Sequence, residues 1–117
     1  MTTPQSPEIP HVEVAEGKRR VDAGALLLDV RNADEWQAGH PENATWIPMR
    51  EIVDRQRELP TDREIVVICK SGGRSAKVTE ALVAAGYDAA NVAGGADAWQ
   101  AAGLAIVTDD GRPGTVG

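Results

Sequence analysis

The fold class is indicated most clearly by the stretch Glu64-Ile65-Val66-Val67-Ile68-Cys69-Lys70-Ser71-Gly72-Gly73-Arg74-Ser75. Its first half is a short, continuously apolar run, which is typical of a strand buried on both faces of a parallel sheet. A basic turn with two glycines follows, and a helical pattern then runs over residues 74–85 and ends at Gly86. The order of strand, tight turn and helix predicts one unit of an open parallel sheet.

The remainder of the chain repeats this alternation. Strand character is found in four further stretches, residues 11–14, 25–30, 44–47 and 89–92. Helices are predicted over residues 49–59 and 95–102, and Asn32 with Glu35 resembles a capping box that begins another helix. We therefore expect an α/β fold, an open parallel sheet of about five strands with helices on both faces.

The composition is that of one globular domain. The chain has 117 residues, 42% hydrophobic and 26% charged, and its net charge of -6 argues against a nucleic-acid surface. We expect a flexible N-terminal arm over residues 1–10, a domain over 11–108 and a flexible tail over 109–117. Neither a membrane span nor a signal peptide is recognised, and the single cysteine favours a reducing, cytoplasmic location.

Cys69 stands where the buried strand meets the glycine-rich turn, and ligands of parallel sheets bind at the carboxyl ends of the strands. The amides of residues 70–75 can surround the sulfur, and Lys70 and Arg74 add positive charge beside it. Such surroundings lower the pKa of a thiol and make it a nucleophile, although they serve equally well to bind an oxyanion. The alternative is an inert buried cysteine. Nucleotide hydrolysis is not expected, because the turn lacks a Gly-Lys-Ser/Thr ending.

Over residues 11–107 the chain resembles a single-domain rhodanese, a sulfurtransferase homology domain. Three groups of residues carry the resemblance: residues 27–31 with Glu35, Trp36, Gly39 and His40; residues 66–75; and residues 82–86 with Asn91, Val92, Gly94, Gly95, Trp99 and Gly103. Residues 39–44 depart from the family, which usually has Gly-His-Ile-Pro-Gly-Ala where this chain has Gly-His-Pro-Glu-Asn-Ala. We interpret the change as a tolerated turn, because Asn43 accepts left-handed backbone angles as glycine does.

The resemblance implies sulfur transfer in two steps. Cys69 would take the outer sulfur of thiosulfate or a similar donor as a persulfide and pass it to cyanide or a cellular thiol. It implies a substrate-binding loop made of Lys70, Ser71, Gly72, Gly73, Arg74 and Ser75, with Arg31 beside it and Asp29 in support. A protein acceptor of sulfur is a further candidate partner. No cofactor, metal, nucleic acid or membrane is implied.

The roles of individual side chains stay open at this point. Lys70 either holds a dianionic donor or is a solvated surface lysine, and Arg74 is expected to brace the loop. For Arg31, contact with the donor or the loop is weighed against an ion pair with Asp34 or Glu35. Ser71 and Ser75 can bond the persulfide or cap the next helix, and capping is favoured for Ser75. Asp29 is expected to make a structural hydrogen bond, and Trp46 and Trp99 are expected in the core rather than in a pocket wall.

Two other functions compete with sulfur transfer. The domain can be a non-catalytic or persulfide-carrying module that docks on a partner, although inactive relatives tend to lose the cysteine. It can also be a thiolate-based phosphatase or arsenate reductase. Four residues separate Cys69 from Arg74, whereas the dual-specificity phosphatases that resemble this fold use five, and the shorter loop favours sulfur transfer.

Overall fold

The computed structural model describes residues 9–116 of the chain. Its strands are His11–Val12 (β1), Leu26–Asp29 (β2), His40–Pro41 (β3), Thr45–Trp46 (β4), Ile65–Ile68 (β5), Ala89–Val92 (β6) and Ile106–Val107 (β7). Five of them form one sheet in the order β1-β6-β5-β2-β4, and every pairing in it is parallel. The predicted α/β fold with an open parallel sheet of five strands is confirmed.

Five α-helices connect the strands: Val14–Asp22 (α1), Ala33–Ala38 (α2), Ile52–Arg55 (α3), Gly73–Ala84 (α4) and Gly95–Ala101 (α5). The single helix predicted over residues 49–59 is instead α3 with a 3-10 turn at each end, Met49–Glu51 and Gln56–Glu58. Within the described residues, no helix has the length and apolar character needed to cross a bilayer.

Helix α1 is one element that the sequence did not predict. Its buried residues are Val14 and Gly17, with Val21 partly buried beside them, so few large apolar side chains mark its inner face. Gly17 lies against the sheet, where an added Cβ would be 3.5 Å from a methyl group of Val92 and 3.7 Å from one of Val66. The glycine that weakens the helical pattern is therefore the residue that lets the helix approach the strands.

The central strand β5 divides the core into two layers. Ile65 and Val67 pack on one face of the sheet with Val78 and Leu82 of α4, and α3 lies on the same face through Ile52. On the other face, β5 packs against α1 and α5, with Val14 and Trp99 in the same cluster. All four residues of β5 are completely buried. Helices therefore cover both faces, as predicted, and Cys69 follows directly on this buried strand.

The C-terminal residues return to the domain. Strands β3 and β7 pair antiparallel, Val107 forms a bridge with Pro113, and the amide of Thr115 donates to the carbonyl of Ala38 at 3.0 Å. Part of the expected C-terminal tail is thus hydrogen-bonded to the domain, and its flexibility stays a prediction. Residues 1–8 of the expected N-terminal arm and Gly117 lie outside the described residues. The turn before β4 has Asn43 at a φ of 69°, as its replacement of glycine predicted.

Candidate active site

The candidate site lies at the carboxyl edge of the sheet, where β5 and β2 end side by side. Asp29 is in register with Ile68, and the amide of Val30 donates to the carbonyl of Ile68 at 3.0 Å. Cys69 therefore leaves the sheet next to the segment that contains Arg31. The two groups of predicted site residues meet at one edge, as the parallel topology requires.

The loop after β5 directs its hydrogen-bond donors at the sulfur of Cys69. The amide of Gly72 donates to Sγ at 3.1 Å, and the hydroxyl of Ser75 lies 3.2 Å from the same atom. Gly72 has a φ of 109°, which only glycine adopts without strain, and it forms the N-cap of α4. Gly73 has open space around its Cα and an ordinary φ, so its role in the loop is less specific.

These donors outweigh burial in setting the pKa of the thiol. Cys69 is 1% exposed, and burial, the largest influence, raises its pKa. Hydrogen bonds from the Ser75 hydroxyl and from the amides of Ser75, Gly72 and Ser71 lower it, and the balance leaves the pKa below that of a free cysteine. The site thus favours a thiolate through neutral donors.

The first turn of α5 holds the back of the loop. The amide of Ala96 donates to the carbonyl of Cys69 at 2.7 Å, and that of Asp97 donates to the carbonyl of Lys70 at 2.9 Å. A Cβ added to Gly95 would lie 2.5 Å from both carbonyl oxygens. Gly95 is therefore required for α5 to reach the loop, which gives a physical reason for the Gly94-Gly95 pair in the sequence.

Arg74 is fixed by an ion pair with α2. Its Nη1 and Nη2 donate to the two carboxylate oxygens of Glu35 at 2.7 and 2.9 Å, and Glu35 also accepts the amide of Asn32 at 3.0 Å. The hydrogen bonds from Arg74, acting against burial, lower the pKa of Glu35 to about 2. The pairing raises the pKa of Arg74 in turn. Arg74 thus braces the loop, and Glu35 combines this contact with its half of the predicted capping box.

Lys70 is also paired. Its Nζ lies 3.0 and 3.1 Å from the carboxylate oxygens of Asp97 in the first turn of α5. Both side chains are more than 40% exposed, so the pair is a solvated one at the loop. The full charges that we expected to act on the sulfur are both shared with carboxylates.

Asp29 and Arg31 form a buried ion pair behind the loop. The guanidinium of Arg31 donates to both oxygens of Asp29 at 2.8–3.0 Å and to the carbonyl of Gly39 at 2.7 Å, and neither residue is exposed. Asp29 also accepts the amide of Arg31. The pair holds the end of β2 to the residue after α2. A contact between Arg31 and a donor stays a prediction, since the guanidinium would have to leave these oxygens.

Ser75 does not cap α4, contrary to our expectation, because Gly72 occupies the N-cap and Ser75 lies inside the first turn. Its hydroxyl is completely buried and lies 2.5 Å from Oδ1 of Asn91 on β6. Asn91 also donates from Nδ2 to the carbonyl of Gly72 at 3.4 Å. Asn91 is a polar residue at a buried strand position, and although it belongs to the family resemblance, no local pattern predicts this hydrogen bond.

The aromatic residues near the site belong to the packing. Trp99 is 2% exposed and lies in the core between α5 and the sheet. His40 stacks on Trp36 with ring centroids 3.5 Å apart, and its Nδ1 is 3.0 Å from the carbonyl of Trp36. Trp46 stacks on the same Trp36 at 5.7 Å. His40 is therefore held by packing contacts. Trp46, which we expected in the core, is only partly buried and lies outside both core clusters, where its Nε1 donates to the carbonyl of Arg31 at 2.8 Å.

Known proteins resemble this chain in both sequence and fold. A sequence profile of the rhodanese-like domain matches residues 13–102. A sulfurtransferase of Allochromatium vinosum is 39% identical over 87 residues, covering 74% of this chain and 81% of that protein. Thiosulfate sulfurtransferase 18 of Arabidopsis thaliana is 35% identical, with 91% and 89% covered. A crystal structure of a rhodanese-related protein from Thermoplasma volcanium has a TM-score of 0.81 at 30% identity, covering 86% of this chain and 99% of that one.

Proposed function

The chain belongs to the rhodanese-like family, and from this membership and the site geometry we propose that it is a thiosulfate sulfurtransferase acting through a persulfide of Cys69. One observation carries the proposal. The amide of Gly72 and the hydroxyl of Ser75 converge on Sγ of Cys69, within 3.1 and 3.2 Å. Donors so placed stabilise an anionic Sγ, both as the thiolate that attacks the donor and as the thiolate that leaves when the acceptor takes the outer sulfur.

In the first step, the thiolate of Cys69 attacks the outer sulfur of thiosulfate. A bond forms between Sγ and that sulfur, the sulfur–sulfur bond of thiosulfate breaks, and sulfite leaves with the bonding electrons. No proton transfer is needed, so the site requires no general base at this step. Cys69 is 1% exposed, which favours a small donor entering past the exposed residues Ser71 and Gly73.

In the second step, an acceptor attacks the outer sulfur of the persulfide. Cyanide would leave as thiocyanate and a thiol would leave as a persulfide, and in both cases Cys69 returns as a thiolate. The kinetics are expected to be ping-pong, because the sulfite leaves before the acceptor reacts. A protein thiol fits the same chemistry where the partner's cysteine can reach the loop.

Charged residues contribute to this reaction at different distances. Lys70 is the cation that can meet a dianionic donor, since it is partly exposed and its partner Asp97 is solvated. Arg74 keeps the loop in place through Glu35 and adds a more remote positive charge. Arg31 and Asp29 support the strand end from within the core. The proposed substrate loop is thus Lys70 to Ser75, with Arg31 and Asp29 behind it.

A thiosulfate:cyanide assay of the wild type beside Cys69→Ser tests the proposal. Thiocyanate formation by the wild type and its loss in the variant are expected, because a serine hydroxyl stays protonated and forms no persulfide. Circular dichroism of both proteins checks that the variant is folded. Turnover that persists in Cys69→Ser, or a wild type that hydrolyses a phosphate ester but forms no thiocyanate, would overturn the assignment.

A further inference from the structure

A chain of four side chains links the sulfur of Cys69 to the surface. Sγ lies 3.2 Å from Oγ of Ser75, this oxygen lies 2.5 Å from Oδ1 of Asn91, and Nδ2 of Asn91 lies 3.1 Å from Nδ1 of His11. Ser75 and Asn91 are buried, whereas His11 on β1 is exposed. The chain therefore starts at the reactive atom and ends at a ring in contact with water.

The hydroxyl of Ser75 cannot serve both of its neighbours. It has one proton, yet Sγ of Cys69 and Oδ1 of Asn91 both lie where that proton would be accepted. When the sulfur is a thiol, its S–H can donate to Oγ and the hydroxyl donates on to Asn91. When the sulfur is an anion, it has no proton and needs the hydroxyl for itself. The protonation state of Cys69 thus decides which way Ser75 points.

The orientation of the Ser75 hydroxyl determines the orientation of the Asn91 side-chain amide. With the hydroxyl turned to the sulfur, Oδ1 of Asn91 loses its donor, and a buried carbonyl without a donor is costly. Turning the amide over places Nδ2 against Oγ of Ser75 and Oδ1 against Nδ1 of His11. The turned amide gives up the 3.4 Å bond to the carbonyl of Gly72 and places Oδ1 opposite that carbonyl oxygen, which keeps the amide of Ala76 as a donor at 3.1 Å. It then needs a proton on Nδ1 of His11, which a neutral histidine supplies by changing its tautomer.

We propose that Ser75, Asn91 and His11 form a reversible hydrogen-bond chain that positions the thiolate of Cys69, with His11 protonated at Nε2 when the sulfur is a thiol and at Nδ1 when it is an anion. No proton passes along the chain. The thiol proton leaves to water, the hydroxyl rotates, the amide turns over, and exposed His11 exchanges its ring proton with solvent. These three residues are positioning residues, and their role rests on the proposed function of Cys69 as the nucleophile.

The cations near the sulfur of Cys69 are neutralised by carboxylates, so the neutral hydrogen-bond chain contributes most to stabilising its anionic form. From β2 and the residues after it come Asp29 and Arg31, and from α2 and α4 come Glu35 and Arg74. From the loop and α5 come Lys70 and Asp97. Each cation is paired with a carboxylate, so the adjustable donor that faces Sγ is the Ser75 hydroxyl. By thermodynamic reciprocity, a donor at His11 favours the anionic sulfur as much as the anionic sulfur favours that donor.

The test uses nuclear magnetic resonance of the two histidine rings that the sequence contains. ¹⁵N-labelled wild type and Cys69→Ala are compared at one pH, chosen so that ultraviolet absorbance shows the thiolate in the wild type. We expect the His11 proton on Nδ1 in the wild type and on Nε2 in Cys69→Ala, where no anion draws the Ser75 hydroxyl. His40 is the internal control, because its Nδ1 faces the carbonyl of Trp36 in both proteins.

The Ser75→Ala variant interrupts the hydrogen-bond chain but retains the sulfur of Cys69. It should show the Nε2 tautomer of His11 although the thiolate is present, and its thiolate fraction at a fixed lower pH should fall roughly 10-fold. The same His11 tautomer in wild type and Cys69→Ala, or the wild-type tautomer retained in Ser75→Ala, would overturn the proposal. Neither readout requires turnover. An active enzyme whose His11 tautomer does not change refutes the hydrogen-bond chain alone. An inactive protein whose His11 tautomer does change refutes the sulfur-transfer function alone.

Discussion

Arg74 and Glu35 form a two-bonded ion pair, at 2.7 and 2.9 Å, that joins the first turn of α4 to the first turn of α2. Helix α2 follows β2 and helix α4 follows β5, and both strands end at the site. This ion pair therefore fixes the distance between the two strand–helix units that form the site. Because Glu35 also accepts the amide of Asn32, its position is set by its own helix. Arg74 is therefore a brace whose partner is held independently of the loop.

Removing the carboxylate of Glu35 should loosen the loop and destabilise the domain. In Glu35→Gln, Arg74 stays half-buried without a charged partner, and we expect a loss of about 1–2 kcal/mol with a several-fold drop in kcat/KM. Urea unfolding and the thiocyanate assay measure the two effects. Glu58→Gln is the matched control, since Glu58 accepts two bonds from Arg55 in an exposed pair away from the loop. Equal losses of activity in both variants would contradict the bracing role.

The same pair predicts a pH dependence of stability. The pKa of Glu35 is lowered from 4.5 to about 2, so its stabilisation is fully present above pH 4.5 and is lost as the pH falls towards 2. The difference in unfolding free energy between wild type and Glu35→Gln should therefore shrink over this window. A difference that stays constant from neutral pH down to the acid limit would show that the pair is not the cause.

Freeing Lys70 should improve the capture of an anionic donor. In Asp97→Asn the lysine loses the carboxylate at 3.0 Å, and we expect the KM for thiosulfate to fall about 2–5-fold at low ionic strength, with less change at high salt. Asp22→Asn is the control, because it frees Lys18 from a similar exposed pair on α1 and changes the net charge equally. A similar fall of KM in both variants would assign the effect to net charge and not to Lys70.

Gly95 should tolerate no side chain, because α5 and the loop meet there. The Cβ of Gly95→Ala would lie 2.5 Å from the carbonyl oxygens of Cys69 and Lys70, and we expect a loss of about 2–4 kcal/mol together with most of the activity. Gly103→Ala provides the matched comparison. Gly103 also has a positive φ, 79°, but nothing lies within 4 Å, so the cost should be about 1–2 kcal/mol with activity kept. Thermal unfolding of the two variants distinguishes close contact from backbone strain.

The reactivity of Cys69 should extend to lower pH than that of a free cysteine. Hydrogen bonds from Ser75, Gly72 and Ser71 hold the pKa of the thiol below its ordinary value against the effect of burial. The rate of alkylation by a small reagent, followed against pH, should reach its plateau earlier than for a cysteine peptide under the same conditions. A midpoint at or above that of the peptide would show that burial prevails over the donors.

Much of the fold could be predicted because the central strands are continuous apolar runs. β5 and β2 are continuous apolar runs, and in a parallel sheet their ends must meet at one edge, so Cys69 and the Asp29–Arg31 segment could be placed together. Helix α1 could not be predicted, since its buried face depends on a glycine packed against the sheet. The small sheet of β3 and β7 was missed because two-residue strands carry no periodicity.

Some features of the site could also be predicted from the sequence, and others could not. The position of the nucleophile and the glycine loop follow from local sequence, since strand, turn and helix are consecutive. The partners of the loop come from elsewhere in the chain: Glu35 pairs with Arg74, Asp97 with Lys70, and Asn91 with Ser75. Single-sequence patterns do not encode such pairings, so they favour a helix cap for Ser75 and leave Lys70 open between a donor-binding cation and a solvated surface lysine.

Formation of a persulfide on Cys69 is tested by mass spectrometry of the protein after exposure to thiosulfate. We expect an added mass of one sulfur atom on the peptide that contains Cys69, and this mass should be removed by cyanide and be absent from Cys69→Ser. An intact, reduced Cys69 without the added sulfur, after the same treatment of a folded protein, would contradict it.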